Sequence, residues 1–306
     1  MAKVALLFPG QGAQHVGMGR TIAEKYAAAR ALYDQAAEIL GYDLAQVCFE
    51  GPAAKLDTTV VSQPAIFVTS LAALEMLRAE NPQAAESCAM TAGLSLGEYT
   101  ALHLAGAFSF EDGLRLVALR GKLMQEAAVA SPSGMVAIIG GDEAAVRKIC
   151  DEAAGGEVLV PANFNAPGQI VVSGTKAACE RVVIAAGAAR LAAKQLVVAG
   201  AFHSPLMQPA ADRMKEALAG ANIRQPSVPV YSNVTAQLHT DPESIKRLLV
   251  EQIVNPVRWE QTMTALASCG EARYIELAPG RTLAGLLKRI NRRAVVEENA
   301  AWKVSQ

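Results

Sequence analysis

Short apolar runs bounded by glycine and proline alternate along this chain with longer stretches whose apolar positions recur at helical spacing. The run "KVALLFPG" predicts a buried strand that opens into the loop "GQGAQHVGMG". An alanine-rich stretch from about Thr21 to Leu40 predicts a helix, and "SQPAIFVTSLAALEMLRA" predicts another with Pro64 near its first turn. "SCAMTAG" predicts a second buried strand, followed after a turn by the helix "GEYTALHLAG". "SFEDGLRLVALRGKLMQEAA" carries the stripe of a long amphipathic helix, with Ser109 as its cap.

From Gly134 the rhythm changes. "GMVAIIG" predicts a strand, "DEAAVRKICDEAA" a helix, and "EVLVPANFN" with "GQIVVSG" two strands joined by an Asn/Pro/Gly turn. "TKAACERVVIAAGAA" and "AAKQLVVAG" add a helix and a last strand. That β-α-β-β-α-β order over Gly134 to Val198 is the ferredoxin-like pattern. The fold class expected is therefore α/β, with a large domain over 1–130 and 199–306 and a small α+β subdomain inserted at 131–198. Beyond the insertion, "SPLMQPAADRMKEALAG" predicts a helix capped by Ser204 with Pro205 at its first position. "VPVYSNVTA" and "ARYIELAPG" predict further strands, each followed by a helix.

With 306 residues and 52% apolar positions the chain can bury a core of that size. A net charge of −1 argues against an electrostatic nucleic-acid binder. The N-terminus lacks the length and cleavage site of a signal peptide, and no run approaches the length of a membrane-spanning helix, so neither export nor a membrane is expected. Five scattered cysteines show no redox or metal spacing, which reads as reduced thiols in a cytoplasmic protein, and no metal-ligand cluster stands out.

The candidate chemistry starts at "GLSLG", residues 93–97. Gly93 and Gly97 suit a sharp turn from strand to helix that would present Ser95 as a nucleophile, with N–H groups of the helix start nearby to hold developing negative charge. Such a serine needs a base. His15, His103 and His239 read as ordinary loop or helix residues, whereas His203 in "GAFHSPLM" lies between a strand and a capped helix, where catalytic groups are often placed. Arg120 falls on the apolar flank of its helix among Leu116, Val117, Leu123, Met124 and Ala127. A guanidinium there needs a partner, either an internal acid or the carboxylate of a substrate.

Seven segments in order, "FPGQGAQ", "GLSLGEYTAL", "LVALRGKLMQ", "NFNAPGQIVVSG", "GAFHSPLM", "EQIVNPVRW" and "ELAPGRTLAGLLKRI", resemble the malonyl-CoA:acyl carrier protein transacylases over nearly the whole chain. The resemblance implies an α/β-hydrolase-like large domain with a parallel sheet and a ferredoxin-like subdomain. It implies Ser95 as the acyl-accepting nucleophile, His203 as base and later acid, and Arg120 as the anchor of the malonyl carboxylate. It implies the N–H groups of Gln11 and Leu96 as the oxyanion hole, a backbone carbonyl at or near Gln252 orienting the histidine, and Phe202 narrowing the acyl pocket. The implied substrate is malonyl-CoA and the implied partner an acyl carrier protein whose phosphopantetheine accepts the group, with no metal or cofactor of the enzyme's own. A monomer is expected. Leu94 departs from the family, which usually has histidine before the nucleophile.

Three other readings compete: a serine esterase or thioesterase, a polyketide-type acyltransferase, and a non-catalytic docking subunit that keeps the fold, which intact Ser95, His203 and Arg120 argue against. An ordinary serine esterase or thioesterase would need an acid between serine and histidine, and Asp142 or Asp151 are the candidates, although both read more simply as surface charges. A discrete polyketide-type acyltransferase would share every motif. The basic cluster Lys288, Arg289, Arg292 and Arg293 reads first as a solvated helix face and second as a contact for an acidic carrier.

Overall fold

The computed structural model describes residues 3–297 except Glu271 and Ala278, so the last nine positions of the expected large domain lie outside the described residues. Strand β1 (Lys3–Phe8) is followed by α1 (Arg20–Lys25), α2 (Ala27–Leu40), α3 (Leu44–Glu50), α4 (Ala53–Leu56), α5 (Thr59–Glu80) and α6 (Pro82–Glu86). Then come β2 (Cys88–Gly93), α7 (Leu96–Leu104) and α8 (Phe110–Ala130). The sequence between holds β3 (Ser133–Ile139), α9 (Glu143–Ala154), β4 (Leu159–Ala166), β5 (Gln169–Thr175), α10 (Lys176–Ala188) and β6 (Ala192–Gln195). A 3-10 turn (Pro205–Met207) leads into α11 (Gln208–Ala219), α12 (Pro242–Val254), α13 (Trp259–Ser268), β7 (Ala272–Glu276), α14 (Thr282–Ile290) and β8 (Val295–Glu297).

Two sheets result. The first is parallel, in the order β2-β1-β7-β8, and the second is antiparallel, in the order β4-β5-β3-β6. Strand β1 reads as a continuous apolar run because both its faces are covered. Val4, Leu6 and Phe8 enter the main core with α5 and α8, while Ala5 and Leu7 meet Trp259, Met263, Leu283 and Leu287 on the other side. In the second sheet Val136, Ile138, Ile170 and Val172 pack under α9 and α10, whereas Met135, Ala162 and Val171 join the main core. The alternation of a strand's side chains thus fastens one sheet to the other.

Several boundaries differ from the expectations above. The helix over 21–40 breaks at Tyr26, whose extended backbone (φ −120°, ψ 113°) separates α1 from α2. Pro64 lies within α5, the sixth of its 22 residues. That helix is also long and apolar enough to cross a membrane by length and composition, contrary to the expectation of none, and 89% of its apolar window is buried inside the protein. The stretch "VPVYSNVTA" forms two isolated bridges, Val230 to Thr91 and Tyr231 to Leu238, instead of a strand. Strand β6 stops at Gln195, and the Ser204 cap opens a 3-10 turn before α11.

Candidate active site

In register, Phe8 pairs with Gly93, so the C-terminal ends of β1 and β2 lie side by side, as they do where open α/β sheets bind ligands. The chain turns into α7 through Ser95, which has φ 53° and ψ −105°, a strained region for any residue with a side chain. A Cβ at Gly97 would sit 2.1 Å from the Phe8 oxygen, and one at Gly93 would sit 1.9 Å from the Gly97 carbonyl. Those two glycines let strand, elbow and helix touch.

His203, also at positive φ (57°), brings Nε2 to 2.9 Å from Ser95 Oγ. Its Nδ1 lies 2.7 Å from the carbonyl oxygen of Gln252. That carbonyl is available because the residue four places on is Pro256, which has no N–H to continue the α12 ladder. Donation from Nδ1–H to the carbonyl selects the tautomer whose Nε2 accepts a proton. Burial, and then the Arg120 cation, push the imidazole down to about 4, against the smaller upward pull of the Gln252 carbonyl. At neutral pH His203 is therefore neutral and able to act as a base.

Arg120, in the third turn of α8, is 1% exposed. Its Nη1 donates to Gln63 Oε1 at 2.8 Å, and its Nη2 donates to Gln252 Oε1 at 2.8 Å and to Ser95 Oγ at 3.0 Å. It forms no ion pair among the described residues, and its Nε has no hydrogen-bond partner. Burial lowers its pKa, opposed by Tyr99 and Glu98. No acid pairs with it directly among the described residues; two neutral amides do, with the guanidinium against Ser95 Oγ.

Leu96 is the first residue of α7, so its N–H has no acceptor within the helix. Gln11 lies in the loop after β1, where neighbouring Gly10 abuts the Leu94 carbonyl, and its side chain reaches Thr59 at 3.4 Å. Phe202 is buried in the main core, and its carbonyl accepts from Ser173 Oγ of β5 at 2.6 Å. The side chain of Leu94 packs on the cluster containing Trp259. Asp142 caps α9 by accepting from the Ala145 N–H, and Asp151 is exposed on the same helix. Neither stands behind His203, where the peptide of Gln252 sits instead.

Three residues beside the site were not singled out from the sequence. Glu98 is fully buried, Asn233 accepts the Ser95 N–H at 2.6 Å, and His239 Nε2 lies 2.7 Å from Glu98 Oε1. His239, expected to be an ordinary loop residue, is 7% exposed and belongs to this cluster. Glu98 follows the serine by three residues, so its place on the first turn of a buried helix was the available signal.

A parallel sheet carrying a serine elbow, a histidine held by a peptide carbonyl and a buried cation at the same hydroxyl define an acyl-transferring serine enzyme of the α/β class. The family model of the acyl transferase domain matches residues 5–301. The malonyl CoA-acyl carrier protein transacylase of Bacillus subtilis is 43% identical over 297 residues, which cover 96% of this chain and 92% of that protein. The solved structure of the malonyl CoA-acyl carrier protein transacylase from Coxiella burnetii superposes with a TM-score of 0.94 at 37% identity, covering 100% of this chain and 96% of its own. A malonyl-transacylase solved in complex with a type II PKS acyl-carrier protein gives the same TM-score, 0.94, at 37% identity and covers 99% of both chains. The chain belongs to the malonyl-CoA:acyl carrier protein transacylase family.

Proposed function

We propose that this protein transfers a malonyl group from malonyl-CoA to the phosphopantetheine thiol of an acyl carrier protein through an ester on Ser95. His203 Nε2 takes the hydroxyl proton as Ser95 Oγ attacks the thioester carbonyl. The N–H groups of Gln11 and Leu96 hold the oxyanion, which collapses as the C–S bond breaks and the CoA sulfur takes the proton from His203. The carrier thiol then gives its proton to His203, attacks the ester, and leaves Ser95 free as the hydroxyl regains that proton. The Gln252 carbonyl keeps the imidazole oriented throughout, and Phe202 borders the acyl group. Nucleophile and proton carrier both come from the chain.

The observation that carries this reading is Arg120, a buried guanidinium over the Tyr99 ring that donates to two amides and forms no ion pair among the described residues, and whose Nη2 lies 3.0 Å from Ser95 Oγ. A buried charge with no acid in direct contact is costly: Glu98 reaches Arg120 only through the Gln252 amide, and a malonyl carboxylate at the far end of the acyl group supplies a direct ion pair. The test is the intact mass of the protein after malonyl-CoA, acetyl-CoA and methylmalonyl-CoA, with and without a holo carrier protein. One malonyl per chain is expected, lost on adding carrier and absent in Ser95→Ala. Free malonate released without carrier would instead identify a hydrolase.

A further inference from the structure

Behind the reacting groups lies a carboxylate that the transfer steps do not use. Glu98, on the first turn of α7, is fully buried, and three groups converge on its two oxygens. Oε2 accepts from the Asn233 N–H at 3.0 Å and from Gln252 Nε2 at 2.7 Å, while Oε1 lies 2.7 Å from His239 Nε2. Two of these partners lead straight back to the site. The Asn233 side chain brackets the elbow, with Nδ2 donating to the Gly93 carbonyl at 2.7 Å and Oδ1 accepting the Ser95 N–H at 2.6 Å.

Gln252 stands between the two buried charges. Its Oε1 accepts from Arg120, its Nε2 donates to Glu98 and to the Ser95 carbonyl (3.0 Å), and its own peptide oxygen orients His203. An amide offers an accepting end and a donating end. With a guanidinium on one side and a carboxylate on the other, a single orientation of that amide satisfies both. Without an acceptor at position 98, the amide loses its shorter, charged acceptor and keeps only the Ser95 carbonyl on that side, and the Asn233 N–H is left buried and unpaired.

We propose that Glu98 is a positioning residue: its buried carboxylate fixes the Gln252 amide and the Asn233 peptide, and through them the places of Ser95, His203 and Arg120. The inference rests on Ser95 being the nucleophile, as in the function proposed above, but not on malonyl being the acyl group. The test therefore reads Ser95 itself, as the rate of its modification by a fluorophosphonate followed by intact mass, with malonyl-CoA labelling run in parallel. Glu98→Met keeps the length of the side chain and removes both oxygens. It is expected to slow Ser95 modification about 10- to 100-fold, the scale on which small misplacements act. Glu98→Gln restores one acceptor for Asn233 and Gln252, offers its N–H to His239, and is expected to recover most of the rate. Gln252→Met retains the peptide carbonyl that holds His203 but not the amide, and is expected to slow modification as Glu98→Met does. Because Gln252→Met also removes an acceptor of Arg120, Glu98→Leu takes the place of Glu98→Met if the latter does not fold, with the same slowing expected and a wild-type rate overturning the proposal. Folded Glu98→Met or Gln252→Met reacting at the wild-type rate would overturn the proposal, as would Glu98→Gln being as slow as Glu98→Met. Wild-type protein that takes the fluorophosphonate but no malonyl would overturn the substrate and leave Glu98 tested.

Discussion

A buried guanidinium with no acid in direct contact, Glu98 being one amide away, acts on everything within reach, and His203 registers that action most directly. Burial and the neighbouring Arg120 cation both disfavour the imidazolium, which places the base at about 4. Acylation needs the neutral imidazole, so the rate of Ser95 acylation should hold steady from neutral pH downward and fall only as pH drops through that value. In Arg120→Met the cation is gone, the imidazolium is less disfavoured, and the acid limb should move to higher pH. The same variant should lose about 2–5 kcal/mol of transition-state stabilisation with malonyl-CoA, the range found when one partner of a buried charge pair is removed, and far less with acetyl-CoA. Initial rates with both donors across pH check both outcomes, and equal loss with the two donors would remove Arg120 from its carboxylate role. The arginine was legible in the sequence because it breaks an apolar stripe. Its partners Gln63 and Gln252 come from helices 57 and 132 residues away, and nothing in their local pattern points to one another.

At the scale of the elements, close approach of backbones decides where Ser95 stands. Gly97 is the second residue of α7, and a Cβ there would lie 2.1 Å from the oxygen of Phe8, which is backbone and cannot step aside. Gly97→Ala should therefore cost about 1–3 kcal/mol of stability, as overpacking does, and displace Ser95 as well. Gly285, exposed in α14 with nothing within 4 Å of its added Cβ, is the control, and Gly285→Ala should leave stability unchanged or raise it by up to about 1 kcal/mol. Urea denaturation and fluorophosphonate labelling of the two variants check the contrast. The strand–turn–helix at 88–104 was readable because its period, glycines and apolar run all agree. The segment 228–239 was not, because "VPVYSNVTA" has the composition of a strand while its backbone makes only single bridges and its Asn233 and His239 turn inward to Glu98. Long-range polar contacts of that kind leave no periodic trace.

Across the whole molecule the two sheets share the site, although only the parallel one carries Ser95. The ferredoxin-like order of the second sheet was legible from its alternating strands, but its grip on the histidine segment was not, since isolated serines make it: Ser133 of β3 accepts the Ala201 N–H at 3.1 Å, and Ser173 of β5 holds the Phe202 carbonyl. Ser173 Oγ donates to the carbonyl of Phe202 at 2.6 Å, and the next residue is His203 in its positive-φ conformation. Met135, Ala162 and Val171 add apolar contact from the same sheet to the core that buries Phe202. Ser173→Ala leaves that carbonyl without its side-chain donor in a buried place, a loss of about 1–3 kcal/mol. If the bond merely glues the sheets, the urea midpoint should fall while Ser95 acylation by malonyl-CoA keeps its rate at temperatures well below unfolding. If the second sheet also holds the base in place, the rate should fall too, because releasing Phe202 lets the strained backbone of His203 relax away from Ser95 Oγ. We expect both losses together: the apolar contacts can keep the sheets apposed without the bond, but they act on side chains and do not fix the peptide that sets the direction of His203.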